Sequence, residues 1–206
     1  MKTISLLSQK GGAGKTLLSV NLASYAASQG ETVAIIDIDG QASSCVWHDE
    51  REDTEELPEI SVISSQPKRL PNVLKAAKKG GATFVVIDTS PNSEGATLEA
   101  AKNSDFGLIP CRAALADIKA IKSTVDLIKI ANIPAGIVIN ACKTKGLAYD
   151  AQTALGVYGL PIADVVIGDR TPFNHAFTSG LGICEYEPKS KAANEIRLLY
   201  QWMSSK

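Results

Sequence analysis

Apolar positions along the chain follow two rhythms in turn. Ile4 and Leu6 alternate with polar neighbours between Lys2 and Leu7. Thr32 to Ile36 and Phe84 to Ile87 are near-continuous apolar runs, and Phe106 to Pro110 and Ala135 to Asn140 repeat the pattern. Short runs of this kind predict strands, and the continuous ones predict strands covered on both faces of a parallel sheet. Between them the spacing lengthens. Leu18, Leu22 and Tyr25 share one face of a helix expected from Thr16 to Gln29 and stopped by Gly30. Ile118, Ile121, Val125 and Ile128 do the same for Leu115 to Ile130, as do Ile196, Leu199 and Trp202 for a closing helix over Ala192 to Met203. Strands alternating with helices specify an α/β fold, a twisted and mostly parallel β-sheet with helices on both faces. The 206 residues are 45% hydrophobic with no internal repeat or low-complexity linker, so residues 1–206 are expected to close one core as a single domain.

The polar interruption between the first strand and the first helix is Ser8-Gln9-Lys10-Gly11-Gly12-Ala13-Gly14-Lys15-Thr16. Gly11, Gly12 and Gly14 let the backbone take left-handed angles, so that successive N–H groups turn inward as an anion nest. The helix that follows presents first-turn amides with no intrahelical partner. Lys15 then reaches β- and γ-phosphates, and the Thr16 hydroxyl is placed to ligate Mg²⁺. The segment is a P-loop, and the fold expected is a single-domain P-loop NTPase that takes ATP and Mg²⁺. Gln9 departs from the simple formula, which has glycine there.

Two acids follow strands. Asp39 lies just past the second strand in Asp37-Ile38-Asp39-Gly40-Gln41-Ala42-Ser43-Ser44, and Asp88 closes Phe84-Val85-Val86-Ile87-Asp88. Open α/β sheets gather ligand-binding groups at the carboxyl ends of their strands. Asp39 is expected to orient the attacking water and hold the metal's water shell. Asp88 is expected to act as the Walker B carboxylate beside the Thr16 hydroxyl. Taken alone, an acid just past a strand is more often a helix cap, and the P-loop before it is what favours a functional role for Asp39.

Gln9-Lys10-Gly11-Gly12-Ala13-Gly14-Lys15-Thr16 resembles the deviant Walker A motif of the ParA/MinD group of ATPases, with a glutamine before the first lysine that is more like the ParA partition proteins. The resemblance implies that Lys10 crosses a nucleotide-sandwich homodimer to the phosphates of the other subunit. It also implies that Lys10, Gly11, Gly12, Ala13, Gly14, Lys15, Thr16 and Leu17 hold the nucleotide, although Leu17 stands where the family commonly has a threonine. Asp37 to Ser44 and Trp47 are similar to the family's switch I, with Gly40 in place of a proline. Asp88-Thr89-Ser90-Pro91 is similar to switch II, with Ser90 in place of a proline. Asn140 resembles the adenine-contacting asparagine, and equally fits an asparagine that turns the chain into the next loop. Arg170, Phe173, Ala176 and Gly180, followed by Glu185, match a further spacing of ParA proteins. The implied function is DNA segregation by an ATP-bound dimer on non-specific DNA, with slow hydrolysis stimulated by a centromere-binding partner. That partner would be ParB-like or a small ribbon-helix-helix or helix-turn-helix adaptor. The first strand starts at once, so a small form without an amino-terminal DNA-binding domain is expected.

Composition narrows these expectations. Net charge is −1, so contact with DNA must use a local patch, for which Lys143, Lys145, Lys189, Lys191 and Arg197 are candidates. Cys45, Cys111, Cys142 and Cys184 are dispersed and are expected to be buried free thiols. His48 and His175 lack ligand partners in sequence. The acidic run Asp49 to Glu56 is expected to be a solvated face. No apolar run approaches the ~20 residues that span a bilayer, so a cytoplasmic protein is expected, and the resemblance implies that it associates with the nucleoid when ATP-bound. The competing readings are a MinD-like membrane helix at Ala192 to Met203, an ATPase that positions a protein cluster, a nucleotide-sensing module without activity, and a synthetase on the same fold.

Overall fold

The computed structural model describes residues 1–52 and 57–206. Its strands are β1 (Lys2–Leu6), β2 (Val33–Asp37), β3 (Ile60–Ser64), β4 (Phe84–Asp88), β5 (Phe106–Arg112), β6 (Ala135–Cys142) and β7 (Ile162–Gly168). They form one sheet in the order β3-β2-β4-β1-β5-β6-β7, parallel throughout. The helices are α1 (Lys15–Ser28), α2 (Ser43–Glu52), α3 (Leu70–Lys79), α4 (Glu94–Lys102), α5 (Leu115–Ala131), α6 (Lys145–Leu155), α7 (Thr171–Thr178), α8 (Ile183–Tyr186) and α9 (Lys191–Ser204).

Alternation along the strands assigns the two faces. Ile4, Leu6, Val33, Ile35 and Val86 pack under α1, α2, α7, α8 and α9, whereas Leu7, Ala34, Ile36, Val85 and Ile87 pack under α3, α4, α5 and α6. Both faces are therefore dry, which is why the central strands read as unbroken apolar runs. After β1 the chain leaves toward β2, and after β4 it leaves to the far side, toward β5. The carboxyl ends of these adjacent strands flank the crevice where open sheets bind ligands.

Most boundaries follow the hydrophobic pattern, and the departures have local reasons. β5 runs past Pro110 to Arg112 because its pairing with β1 ends at Leu108 while its pairing with β6 continues through Arg112, so the missing proline N–H costs no ladder bond among the described residues. The pattern did not disclose α3. Its inward residues, Leu70, Val73, Leu74 and Ala77, have helical spacing, but only Leu70 is fully buried. The edge strands β3 and β7 are half exposed and lack a continuous run. Cys111 and Cys142 are buried free thiols as expected, whereas Cys45 and Cys184 are only partly covered. The acidic run expected from Asp49 to Glu56 falls partly outside the described residues.

A buried ion pair ties α2 to the opposite end of the chain. Arg51 donates through Nη2 to Glu185 Oε1 at 2.7 Å and through Nη1 to Oε2 at 2.9 Å, with side chains 5% and 9% exposed. Its guanidinium also donates to the carbonyls of Gly180 and Pro58 and lies 5.2 Å from the centroid of the Trp47 ring. Both terminal nitrogens of the guanidinium and both carboxylate oxygens are bonded, which is the condition for such a pair to be tolerated. Arg51→Ala should cost about 3–5 kcal/mol by leaving Glu185 buried without its partner. Thermal denaturation should show a drop of roughly 6–20 °C for a domain of this size, and Arg51→Met with Glu185→Leu should recover most of it.

Candidate functional site

The loop between β1 and α1 folds as its glycines require. Gly12 and Gly14 have φ of 73° and 92°, in the left-handed region. Gly14 is also the residue before α1, and no side chain caps that helix. Among the described residues, the amides of Gly11, Gly12, Ala13 and Gly14 donate to no protein acceptor. A helix start without a cap, preceded by unpaired amides, is an electropositive concavity that suits a phosphate chain.

Asn140, on β6 two strands away from β1, braces this loop. Its Nδ2 donates to the Ala13 carbonyl at 2.8 Å, and a Cβ on Gly14 would fall 2.1 Å from the same nitrogen. Glycine at position 14 is thus fixed by φ and by contact together. The asparagine is aimed by an irregularity in β6, where the register with β7 shifts and Ala141 has φ 49°. Any contact with a base through Asn140 must use the donor and acceptor capacity that Ala13 leaves free.

Beside the loop a cavity of about 260 Å³ is lined by Gly12, Gly14, Lys15, Thr16, Leu17, Asp39, Gln41, Ser43 and Pro91. Below it sit two acids brought together by sheet register, since Asp37 and Asp88 are paired residues on neighbouring parallel strands. Both are sealed from solvent. Asp37 accepts from the amides of Asp39 at 2.8 Å and Ser44 at 3.0 Å. The Ser44 hydroxyl donates to Asp88 Oδ2 at 3.0 Å. Burial raises the Asp37 carboxyl, with the Asp39 and Ser44 amides pulling it back. Asp88 is pushed up to about 7, first by burial and then by the charge of Asp37, against the pull of Thr16, Ser44 and Lys15. Lys15 as a whole is 6% exposed, and its pKa is lowered by burial and held up by Asp88 and Asp39.

The sequence-derived site residues therefore divide. Gly12, Gly14, Lys15, Thr16, Leu17 and Asp39 line one cavity, with Asp88 beneath it. Ala13 is buried, its carbonyl held by Asn140. Gly11 and Lys10 lie exposed at the rim. The structure adds Asp37 and Ser44, for which the signal was two apolar strands each ending in an acid. The late motif serves packing: Arg170 pairs with Glu195 at 2.8 Å, Phe173 and Ala176 are core residues, and Gly180 meets the Arg51 backbone where a Cβ would sit 2.4 Å from its nitrogen.

Magnesium and a nucleoside triphosphate fit this site. Asp88 Oδ1 is buried with no hydrogen-bond partner, the loop amides lack acceptors, and a lysine is held among acids. Among the described residues no group of three or more His, Cys, Asp or Glu side chains forms a metal cage, whereas magnesium shared with phosphates needs only one or two protein carboxylates.

Comparison with known proteins agrees with that chemistry. The family model for the CobQ/CobB/MinD/ParA nucleotide binding domain matches residues 4–183. The maintenance of carboxysome distribution protein A of Gloeobacter kilaueensis is 29% identical over 196 residues, covering 92% of this chain and 87% of that protein. The sporulation initiation inhibitor protein Soj of Bacillus subtilis is 25% identical over 241 aligned positions, covering 93% and 94%. The solved structure of the septum site-determining protein MinD of Pyrococcus horikoshii, complexed with Mg-ADP, superposes with a TM-score of 0.80 at 20% identity, covering 98% and 95%.

Because the Asp88 carboxyl titrates near 7 in the fold and at 3.8 as a free group, the ligand-free protein binds a proton that the unfolded chain has lost. Stability from this group is present at acid pH and declines as pH rises from about 4 through 7. Asp88→Asn should remove the decline, raising the unfolding free energy of ligand-free protein at pH 8 by roughly 1–3 kcal/mol and leaving it unchanged at pH 4. Denaturant titrations at the two pH values measure this.

Proposed function

The chain belongs to the CobQ/CobB/MinD/ParA nucleotide-binding family, and on that footing we propose that it is an ATP-driven partition or positioning switch. It is a P-loop ATPase of the ParA/MinD kind. In the proposed cycle Mg-ATP brings two copies face to face, the homodimer holds non-specific DNA, and a ParB-like or small adaptor partner at the cargo accelerates an otherwise slow hydrolysis. The protein then works in the cytoplasm and associates with the nucleoid when ATP-bound.

The observation that carries this reading is the contrast between two lysines in one loop. Lys15 is buried within the field of Asp88 and Asp39. Lys10 lies exposed at the rim, and its side chain makes no hydrogen bond or ion pair among the described residues. One lysine suffices to grip a subunit's own phosphates, and the second is free to serve a neighbour. The bound metal would neutralise charge developing between the phosphates, held through Thr16 and Asp88. Asp39 stands beside the same cavity to orient a water, and the carboxyl ends of β1 and β4 exclude bulk solvent beneath it. A charge contributed across a subunit boundary is worth ~10³–10⁵ in phosphoryl transfer.

For DNA the structure favours a surface different from the lysines first considered. Lys143, Lys145 and Lys191 do line one cavity of about 460 Å³, but they share it with Asp164 and with the Arg170–Glu195 pair, and Arg197 is engaged with the Pro188 carbonyl. By contrast Lys68, Arg69, Lys75, Lys78 and Lys79 project from α3 and the turn before it. All five are exposed, none is paired among the described residues, and no acid lies between positions 60 and 87. The stripe is roughly 16 Å long at helical rise.

A second reading, positioning of a protein assembly in place of a replicon, draws on the carboxysome-distribution relative at 29% identity. It changes the cargo and the partner and leaves the nucleotide cycle as it is. The apolar face of α9, with Ile196, Leu199 and Met203 fully buried, is occupied by the protein's own core. Among the described residues no helix is long and apolar enough to cross a membrane.

Lys10→Ala should bind ADP within about twofold of the parent and lose both the ATP-dependent dimer in sedimentation and hydrolysis by about 10³. An intact dimer in that variant would remove the trans role. Reversing Lys75, Lys78 and Lys79 to glutamate should flatten the slope of log affinity for random-sequence DNA against log salt by about 3. Reversal of Lys143 and Lys145 should change it less.

A further inference from the structure

Gln9 stands where the simple phosphate-loop formula has glycine, and the structure gives its side chain a task. The carboxamide Nε2 donates to Oγ1 of Thr97 at 2.8 Å. The Gln9 main-chain N–H donates to Oγ1 of Thr124 at 3.2 Å, and its carbonyl accepts from the Asn92 N–H at 3.0 Å. Both threonines are completely buried. Thr97 lies in the first turns of α4, whose cap Ser93 accepts from the Ala96 amide. Thr124 lies in the middle of α5. Asn92, at φ 55°, closes the turn that leaves Asp88 through Ser90 and Pro91. One loop residue is thereby fastened to α4, to α5 and to the segment that follows the buried acid.

The next residue is Lys10. Its own fastening is a single main-chain bond from its N–H to the Ser8 hydroxyl at 3.2 Å, and among the described residues its side chain makes no hydrogen bond or ion pair. The backbone bonds of Gln9 would survive in a glycine, but the bond to Thr97 would not. That bond is what the departure from glycine adds, and it joins the base of Lys10 to the helix that begins two residues after Asn92. On the other flank the Pro91 Cβ lies 3.9 Å from where a Cβ on Gly11 would stand, so the turn after Asp88 is bonded to Gln9 on one side of Lys10 and runs near Gly11 on the other.

We propose that Gln9 is a positioning residue, a strut by which the Asp88–Asn92 turn and α4 set the direction in which Lys10 leaves the loop. Rearrangement at the end of β4 then reaches the lysine offered to the second subunit without passing through Lys15 or the loop amides. This rests on the trans role of Lys10 proposed above. Gln9 neither lines the cavity nor shares a hydrogen bond with Asp37, Asp39 or Asp88, so its removal separates the two lysines: self-binding stays and dimerisation weakens.

Gln9→Ala and Thr97→Val each delete the 2.8 Å bond, the first at a half-exposed loop residue and the second isosterically in the core, and Thr97→Ser keeps the hydroxyl. ADP affinity measured by calorimetry should stay within about twofold in all three. The dimer dissociation constant, measured by sedimentation with a non-hydrolysable ATP analogue, should rise about tenfold in Gln9→Ala and Thr97→Val, as one neutral hydrogen bond allows. The double variant should be no worse than either single one, and Thr97→Ser should dimerise like the parent. If the two deletions dimerise normally while Lys10→Ala does not, the strut is wrong and the trans lysine stands. If Lys10→Ala itself dimerises normally, both fall. A loss of ADP affinity in parallel with dimerisation would also overturn the proposal, because Gln9 would then merely hold the loop together.

Discussion

The carboxyl of Asp88, sealed from water at the end of β4, is the group around which the rest of the site is arranged. Parallel register leaves no freedom in the matter, since pairing β2 with β4 sets Asp37 directly beside it. Two acids in a dry place repel each other, and each is costly to ionise. The Ser44 amide answers one and its hydroxyl the other, yet one oxygen of Asp88 remains without a partner. Lys15 is drawn into the same pocket at the expense of its own hydration. An unliganded site of this kind is strained electrostatically, and whatever brings a compact cation and a chain of anionic oxygens relieves both ends of the strain together. Binding to the native state alone then stabilises the fold.

Much of the architecture was legible because two dry faces force a simple code: apolar runs for the inner strands, helical spacing between them. That code fails where burial is partial. Half-exposed β3 and β7 carry no continuous run, and α3 hides its Leu70, Val73, Leu74 and Ala77 spacing among prolines and lysines. The site shows the same division. Lys15, Thr16, Asp39 and Asp88 were visible because each sits in or next to a contiguous motif whose chemistry demands those residue types. The Ser44 bridge and the Asn140 brace were not, because they are made across 44 and 127 positions respectively and no local rule connects their ends. The left-handed Ala141 that helps to aim Asn140 is invisible as well, since alanine gives no warning of a positive φ.

The ParA-like spacing late in the chain falls in the packing of the domain. Arg170, Phe173, Ala176 and Gly180 lie at the expected intervals, yet what the structure asks of them is a salt bridge, two core side chains and a close approach to Arg51. Through Arg51 that packing matters to function all the same. Arg51 belongs to α2, the helix that starts with Ser43 and Ser44, so the Glu185 pair fixes the far end of the element whose near end answers both buried acids. Rigidity at one end of a short helix is orientation at the other.

Lys10 and Lys15 are five positions apart and physically opposite, which follows from what surrounds each. The turns at Gly12 and Gly14 direct Lys15 inward, where two acids hold its charge in place of water. Among the described residues Lys10 meets no acid at the rim, and fixing an extended lysine costs ~2 kcal/mol of rotamer entropy that no ion pair among them returns. Such a side chain gains little from being ordered in the monomer. In the proposed dimer it becomes ordered only when a second anionic centre is presented from outside, and the anionic centre built to be presented is the one that Lys15 and the loop amides hold in the other copy. A single loop can therefore make nucleotide occupancy and self-association into one equilibrium, provided its backbone is held firmly enough that the outward lysine has a defined origin.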